Sequence, residues 1–177
     1  KIPQGVAFPA VLKVDSDKVL HKSDKQALII GIKDKKELED AVKKLRKNFP
    51  IERFVLQPMQ AKQMEIILGI KNDGIFGPVI MYGLGGIYTE IFKKINFIIP
   101  PMSPIEIEDS LVNGELGFLF RKTRGQEMYD LEAMVKIISG LIAFAKENPQ
   151  VKEFDINPLF LYNDKRKACA VDIKIII

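Results

Sequence analysis

Phe154-Asp155-Ile156-Asn157-Pro158-Leu159-Phe160-Leu161 is an aliphatic and aromatic run broken by an acid, an amide and a proline. Ala168 to Ile177 follows it, again aliphatic, broken by Asp172 and Lys174. Short apolar runs bounded by turn residues read as strands, and Asn163-Asp164-Lys165 is the turn between them. The pair predicts a hairpin bent at Pro158. Asn157 and Asp172 stand nearly equidistant from the turn at Asn163 to Lys167, so they pair across it and can share one face. A carboxamide and a carboxylate so placed are oxygen donors of the kind Mg²⁺ takes, with phosphate oxygens and water filling the rest of its shell. Polar groups inside aliphatic strands are costly unless partnered. A structural turn brace at Asn157-Pro158 is the plainer alternative.

Upstream, strands and helices alternate. Pro9 to Val14, Ala27 to Ile32, Phe54 to Gln57, Met64 to Ile70, Val79 to Tyr82 and Asn96 to Ile99 read as strands, with a tight turn at Asn72-Asp73-Gly74. Asp34 caps a helix running from Lys35 to Arg46, with Leu38, Ala41, Val42 and Leu45 on one face. Ser103, followed by Pro104 and Glu106, caps a second short helix. Asp130 caps a third, Leu131 to Lys146, whose apolar stripe includes Met134, Ile138 and Leu141. Strands joined by tight turns and mixed with helices predict an α+β fold with largely antiparallel sheets. No internal repeat stands out; a lobe boundary is expected near residues 57–62.

Composition limits the function classes. The 177 residues are 47% hydrophobic and 28% charged, enough for one domain or two small lobes with a real core. Net charge is +4, from 27 basic and 23 acidic side chains. This excess is too small and scattered for nucleic acid, but suits an anionic small molecule. No apolar stretch approaches the ~20 residues of a membrane span, and the first residues lack a signal peptide's pattern. The single cysteine, Cys169, forms no internal disulfide, which predicts a reducing, cytoplasmic setting.

Three further strings carry chemistry. Lys13 interrupts Val11-Leu12-Lys13-Val14: on an open sheet face it is ordinary, and directed into a cleft it is a point charge for a phosphate. His21, the only histidine, sits in Leu20-His21-Lys22-Ser23-Asp24 between two strands. As a surface or capping residue it is unremarkable; as a nucleophile, its neutral ring nitrogen can accept and release a phosphoryl group. Gly83-Leu84-Gly85-Gly86 leaves a strand and leads to Glu90, so backbone amides there can approach an anion closely, or the glycines simply make a turn.

Taken in order, Leu12-Lys13, Leu20 to Asp24, Gln57 with Glu65, Phe76-Gly77-Pro78-Val79 leading to Gly83 to Gly86, and Asp155 to Leu159 before Val171-Asp172 resemble the ATP-grasp domain of ADP-forming (NDP-forming) acetyl- and acyl-CoA synthetases. They are similar, more distantly, to the nucleotide-binding subunit of succinyl-CoA synthetase. The resemblance spans nearly all 177 residues. It implies an ATP-grasp fold of two α+β lobes, lacking an N-terminal part that the family usually has.

It also implies roles. The family is an acid–thiol ligase that converts acyl-CoA, ADP and phosphate reversibly into carboxylate, CoA and ATP. By resemblance His21 relays the phosphoryl group, Lys13 holds nucleotide phosphates, and Gln57 and Met59 line the adenine slot. Glu65 faces the nucleotide, Gly85, Gly86 and Glu90 lie along the phosphates, and Asn157 and Asp172 hold Mg²⁺. A CoA-binding subunit or domain is the implied partner. The chain differs from the family pattern at three places: Lys25-Gln26 replaces a glycine pair, Pro58 a glutamate, and Ile98 an arginine for which Arg121 or Arg124 would compensate. The alternative is a non-catalytic ATP-grasp module, a scaffold or regulatory domain of the sort fused to acetyltransferases. Another ATP-grasp ligase, for carbon–nitrogen bonds, is a third.

Overall fold

Strand β1 (Ala10–Asp15) lies at the centre of a three-stranded antiparallel sheet, flanked by β2 (Leu28–Ile32) and β3 (Arg53–Pro58). Its even positions, Ala10, Leu12 and Val14, bury against Leu38, Ala41 and Leu45 of helix α1 (Lys35–Asn48). Asp34 caps that helix by accepting from the Glu37 N–H at 2.8 Å. Each buried leucine contributes roughly 1.5–3 kcal/mol by leaving water. Strand alternation then turns Val11 and Lys13 to the face away from α1. The computed structural model describes residues 5–16, 27–86, 95–122, 125, 127–164, 166 and 168–177. It divides into two units, Lys1–Ala61 and Lys62–Ile177.

The second unit is a six-stranded sheet. β4 (Met64–Asp73) and β5 (Gly77–Leu84) form a hairpin in which the Asp73 carboxylate accepts from the Ile75 and Phe76 N–H groups. These backbone donors hold the Asp73 pKa below the ordinary carboxylate value. β6 (Ile95–Ile98) pairs with β5. Helices α2 (Pro104–Asn113) and α3 (Leu131–Glu147) follow, with a short 3₁₀ turn at Gly117–Leu119 between them. β7 (Glu153–Leu161) pairs with β4 on one side, and with β8 (Cys169–Ala170) and β9 (Ile173–Ile176) on the other. The order β6-β5-β4-β7-β8 places β4 and β7 side by side. Ile66, Leu68, Ile70, Ile80 and Tyr82 pack on Ile107, Leu111, Met134 and Ile138, so α2 and α3 cover one sheet face.

The terminal hairpin keeps the expected irregularity at Pro158 and departs from expectation in its last strand. β7 is one continuous strand carrying a bulge: Ile66 pairs with Leu159 and Leu68 with Ile156, so one residue of β4 faces Asn157 and Pro158. That extra residue lets Ile156 and Leu159, three apart, both reach the core. The last strand is two short ones, interrupted at Val171-Asp172 opposite Asn157-Pro158. Pro158 has no N–H to offer there, so the strands are joined at this point by the Asn157 and Val171 N–H groups. No helix among the described residues is long and apolar enough to cross a membrane.

Candidate functional site

The first unit holds Lys13, Gln57 and Met59. Val11 pairs with Gln57 and Lys13 with Val55, so Lys13 and Gln57 lie diagonally on one sheet face, the one away from α1. Lys13 is 9% exposed, a buried cation on a central strand. Met59 is half-exposed, and its N–H donates to the Pro9 carbonyl at 2.8 Å. With Pro58 lacking an amide, this stretch offers a base its carbonyls and side chains rather than N–H donors from 58 or 59. His21, Lys25-Gln26 and Glu90 lie outside the described residues, as does Arg124.

The second unit holds the rest. Glu65 stands at the start of β4, and the Gly85 N–H donates to its carbonyl at 2.7 Å. The expectation of a free amide nest therefore fails at Gly85, whose N–H is spent on the neighbouring strand. The need for glycine is steric: a Cβ on Gly85 would lie 3.0 Å from the Glu65 Cβ. At Gly86, where φ is +62°, a Cβ would overlap the Glu65 carboxylate itself. Glu65 is 14% exposed, with Lys62 Nζ 2.8 Å from Oε1.

The Asn157–Asp172 pairing is as the sequence pattern requires. Ile156 pairs with Ile173 and Leu159 with Ala170, which sets Asn157 opposite Asp172. The Asn157 N–H donates to the Asp172 carbonyl at 3.1 Å, and the Val171 N–H to the Pro158 carbonyl at 3.0 Å. Directly opposed residues share a face. Among the described residues no cluster of three or more His, Cys, Asp or Glu could hold a metal. Two oxygen donors suit a hard cation that draws its other ligands from phosphate and water, as Mg²⁺ does.

One acid escaped the sequence reading. Asp155, half-buried and opposite Lys174, has its pKa raised, first by burial and then by Glu153; Asp172 adds to this and Lys174 opposes it. Its signal was a carboxylate in an aliphatic strand two residues before Asn157. The position where the family pattern has arginine, Ile98, is in the core at 1% exposure. Arg121 donates to the Val112 carbonyl at 2.7 Å and Asn113 Oδ1 at 3.3 Å, closing the end of α2.

The chain is built of two antiparallel α+β units, with Asn157 and Asp172 paired on neighbouring strands of the second. The chain belongs to the ATP-grasp domain family, which it matches over residues 1–177. It is 31% identical to the beta subunit of ADP-forming acetate–CoA ligase I from Pyrococcus furiosus, over 97% of this chain and 76% of that one. It is 30% identical to 4-hydroxybutyrate–CoA ligase (ADP-forming) from Nitrosopumilus maritimus, covering 99% of this chain and 26% of that longer one. It superposes at a TM-score of 0.83 and 30% identity on acetyl-coenzyme A synthetase 1 from Ca. Korarchaeum cryptofilum, solved with coenzyme A and Mg-AMPPCP, covering 97% of this chain and 77% of that one. These relatives are ligases, which fits the enzyme reading and not the scaffold.

Proposed function

We propose that this chain is the nucleotide-handling domain of an ADP-forming acyl-CoA ligase, interconverting acyl-CoA, ADP and phosphate with carboxylate, CoA and ATP. Phosphoryl transfer needs mainly positioning and charge neutralisation. Lys13 supplies a fixed positive charge to the phosphates, and Gln57 and Met59 line the base. Glu65 faces the nucleotide, with Gly85, Gly86 and Glu90 along its phosphates. Asn157 and Asp172 hold Mg²⁺, which when bound neutralises phosphate charge. His21 carries the phosphoryl group: its ring nitrogen bonds to phosphorus as the bond to the donor breaks, and ADP later takes the group. Splitting a long transfer into two short ones keeps each near in-line contact.

A CoA-binding subunit or domain supplies the acyl chemistry. The Nitrosopumilus ligase, in which the matching region is about a quarter of one chain, supports that division of labour. The observation that supports the reading most is the likeness, over 97% of the chain, to a synthetase solved with Mg-AMPPCP.

The test adds Mg-ATP and a CoA-binding partner and looks for an acid-labile, base-stable phosphate on this chain. His21→Asn is expected to abolish the label while nucleotide binding persists. A label that survives in His21→Asn would sink the relay.

A further inference from the structure

Glu65 is held from three sides. Its carbonyl receives the Gly85 N–H at 2.7 Å, Lys62 Nζ lies 2.8 Å from Oε1, and Gly86 leaves open the space that Oε2 fills. The Lys62 backbone is itself anchored next door. Gln63 donates from Nε2 to Asn163 Oδ1 at 2.7 Å and accepts the Asn163 N–H on Oε1 at 3.0 Å. A sequence spacing of three brings side chains together on a helix, but no helix is present at 62–65. The contact is made by the way the chain enters β4.

A carboxylate seated beside an incoming polyphosphate repels it, and the more so because Glu65 is largely shielded from water. An ammonium on that carboxylate cancels the repulsion and fixes the acid's position. We propose that Lys62 is a positioning residue of the nucleotide site, holding the Glu65 carboxylate against the Gly85-Gly86 turn and neutralising it where a nucleoside diphosphate binds. The proposal rests on the reading that Glu65 faces the nucleotide.

The experiment is calorimetric titration of the full chain with Mg-ADP, for wild type, Lys62→Met, Lys62→Arg, Glu65→Gln and Lys62→Met/Glu65→Gln. Lys62 is 67% exposed, so its variants keep the fold; melting temperatures check this. Lys62→Met is expected to weaken binding about tenfold, Lys62→Arg to stay within about threefold of wild type, and the double variant to bind no worse than Glu65→Gln. Wild-type affinity in Lys62→Met overturns the proposal. So does a tenfold loss that persists in the Glu65→Gln background, because Lys62 then acts on the ligand and not through Glu65. A wild type that takes up no Mg-ADP ends the nucleotide reading itself, and this proposal with it, before any variant is compared.

Discussion

Replacing Gly86 with alanine puts a methyl group where the Glu65 carboxylate sits. It also forces a Cβ residue to φ +62°, a left-handed conformation that costs roughly 1–2 kcal/mol outside glycine. Gly77 provides the control, because its φ is +72° but a Cβ there meets nothing within 4 Å. Gly77→Ala is expected to lose only the conformational part in urea unfolding. Gly86→Ala is expected to lose more and to weaken Mg-ADP binding as well. Equal losses in the two variants would show that Glu65 does not depend on the turn. At this scale the sequence was half legible. Three glycines in four positions announced a special turn, yet their spacing could not show that Gly85 spends its amide on β4. Lys62 gave no signal, since its contact with Glu65 exists only once the chain has turned into β4.

Helix α2 is set by its first turn. Ser103 Oγ accepts from the Glu106 N–H at 3.4 Å, and Glu106 Oε2 accepts from the Ser103 N–H at 2.7 Å, a reciprocal cap with Pro104 at the first helical position. Ser103→Ala is expected to lower stability by about 1 kcal/mol in chemical denaturation. The same cap makes a pH prediction. The Ser103 backbone N–H, then its side chain, lower the Glu106 pKa from 4.5. The folded state therefore binds this proton less readily than the unfolded one. The stabilisation is complete above 4.5 and lost as pH falls through the folded value. Glu106→Gln should have a melting temperature that falls less steeply between neutral pH and about pH 3 than wild type; an identical slope would contradict the cap. The caps at Asp34, Ser103 and Asp130 were legible, because capping is local chemistry. The register of the β7 bulge against β4 and the gap between β8 and β9 were not. They arise from pairing between separate strands.

Among the described residues, one apolar cluster draws on residues 6–56 and includes Leu38 and Leu45, and another draws on residues 64–168 and includes Leu68 and Ile138. Leu45→Ala is expected to cost about 2–5 kcal/mol. Native-state hydrogen exchange should place that loss on amides of Lys1–Ala61, leaving the amides of Lys62–Ile177 near their wild-type protection. A uniform fall across both would mean that the two cores open together. The antiparallel α+β class was legible from turn spacing and apolar periodicity. The adjacency of β4 and β7, which unites Glu65 and Asn157 in one sheet, was not, because about eighty residues of chain lie between those strands.

The bulge also constrains how this fold can change length. Between Ile156 and Leu159 the strand β7 spends two residues, and its partner spends two between Ala170 and Ile173, while β4 spends one. Removing Pro158 alone would regularise the β4 side and throw the β8–β9 side out of step. Removing Val171 with it would bring all three back into phase. Indels at this place are therefore expected in matched pairs, one from each strand, because a lone deletion only moves the mismatch across the sheet.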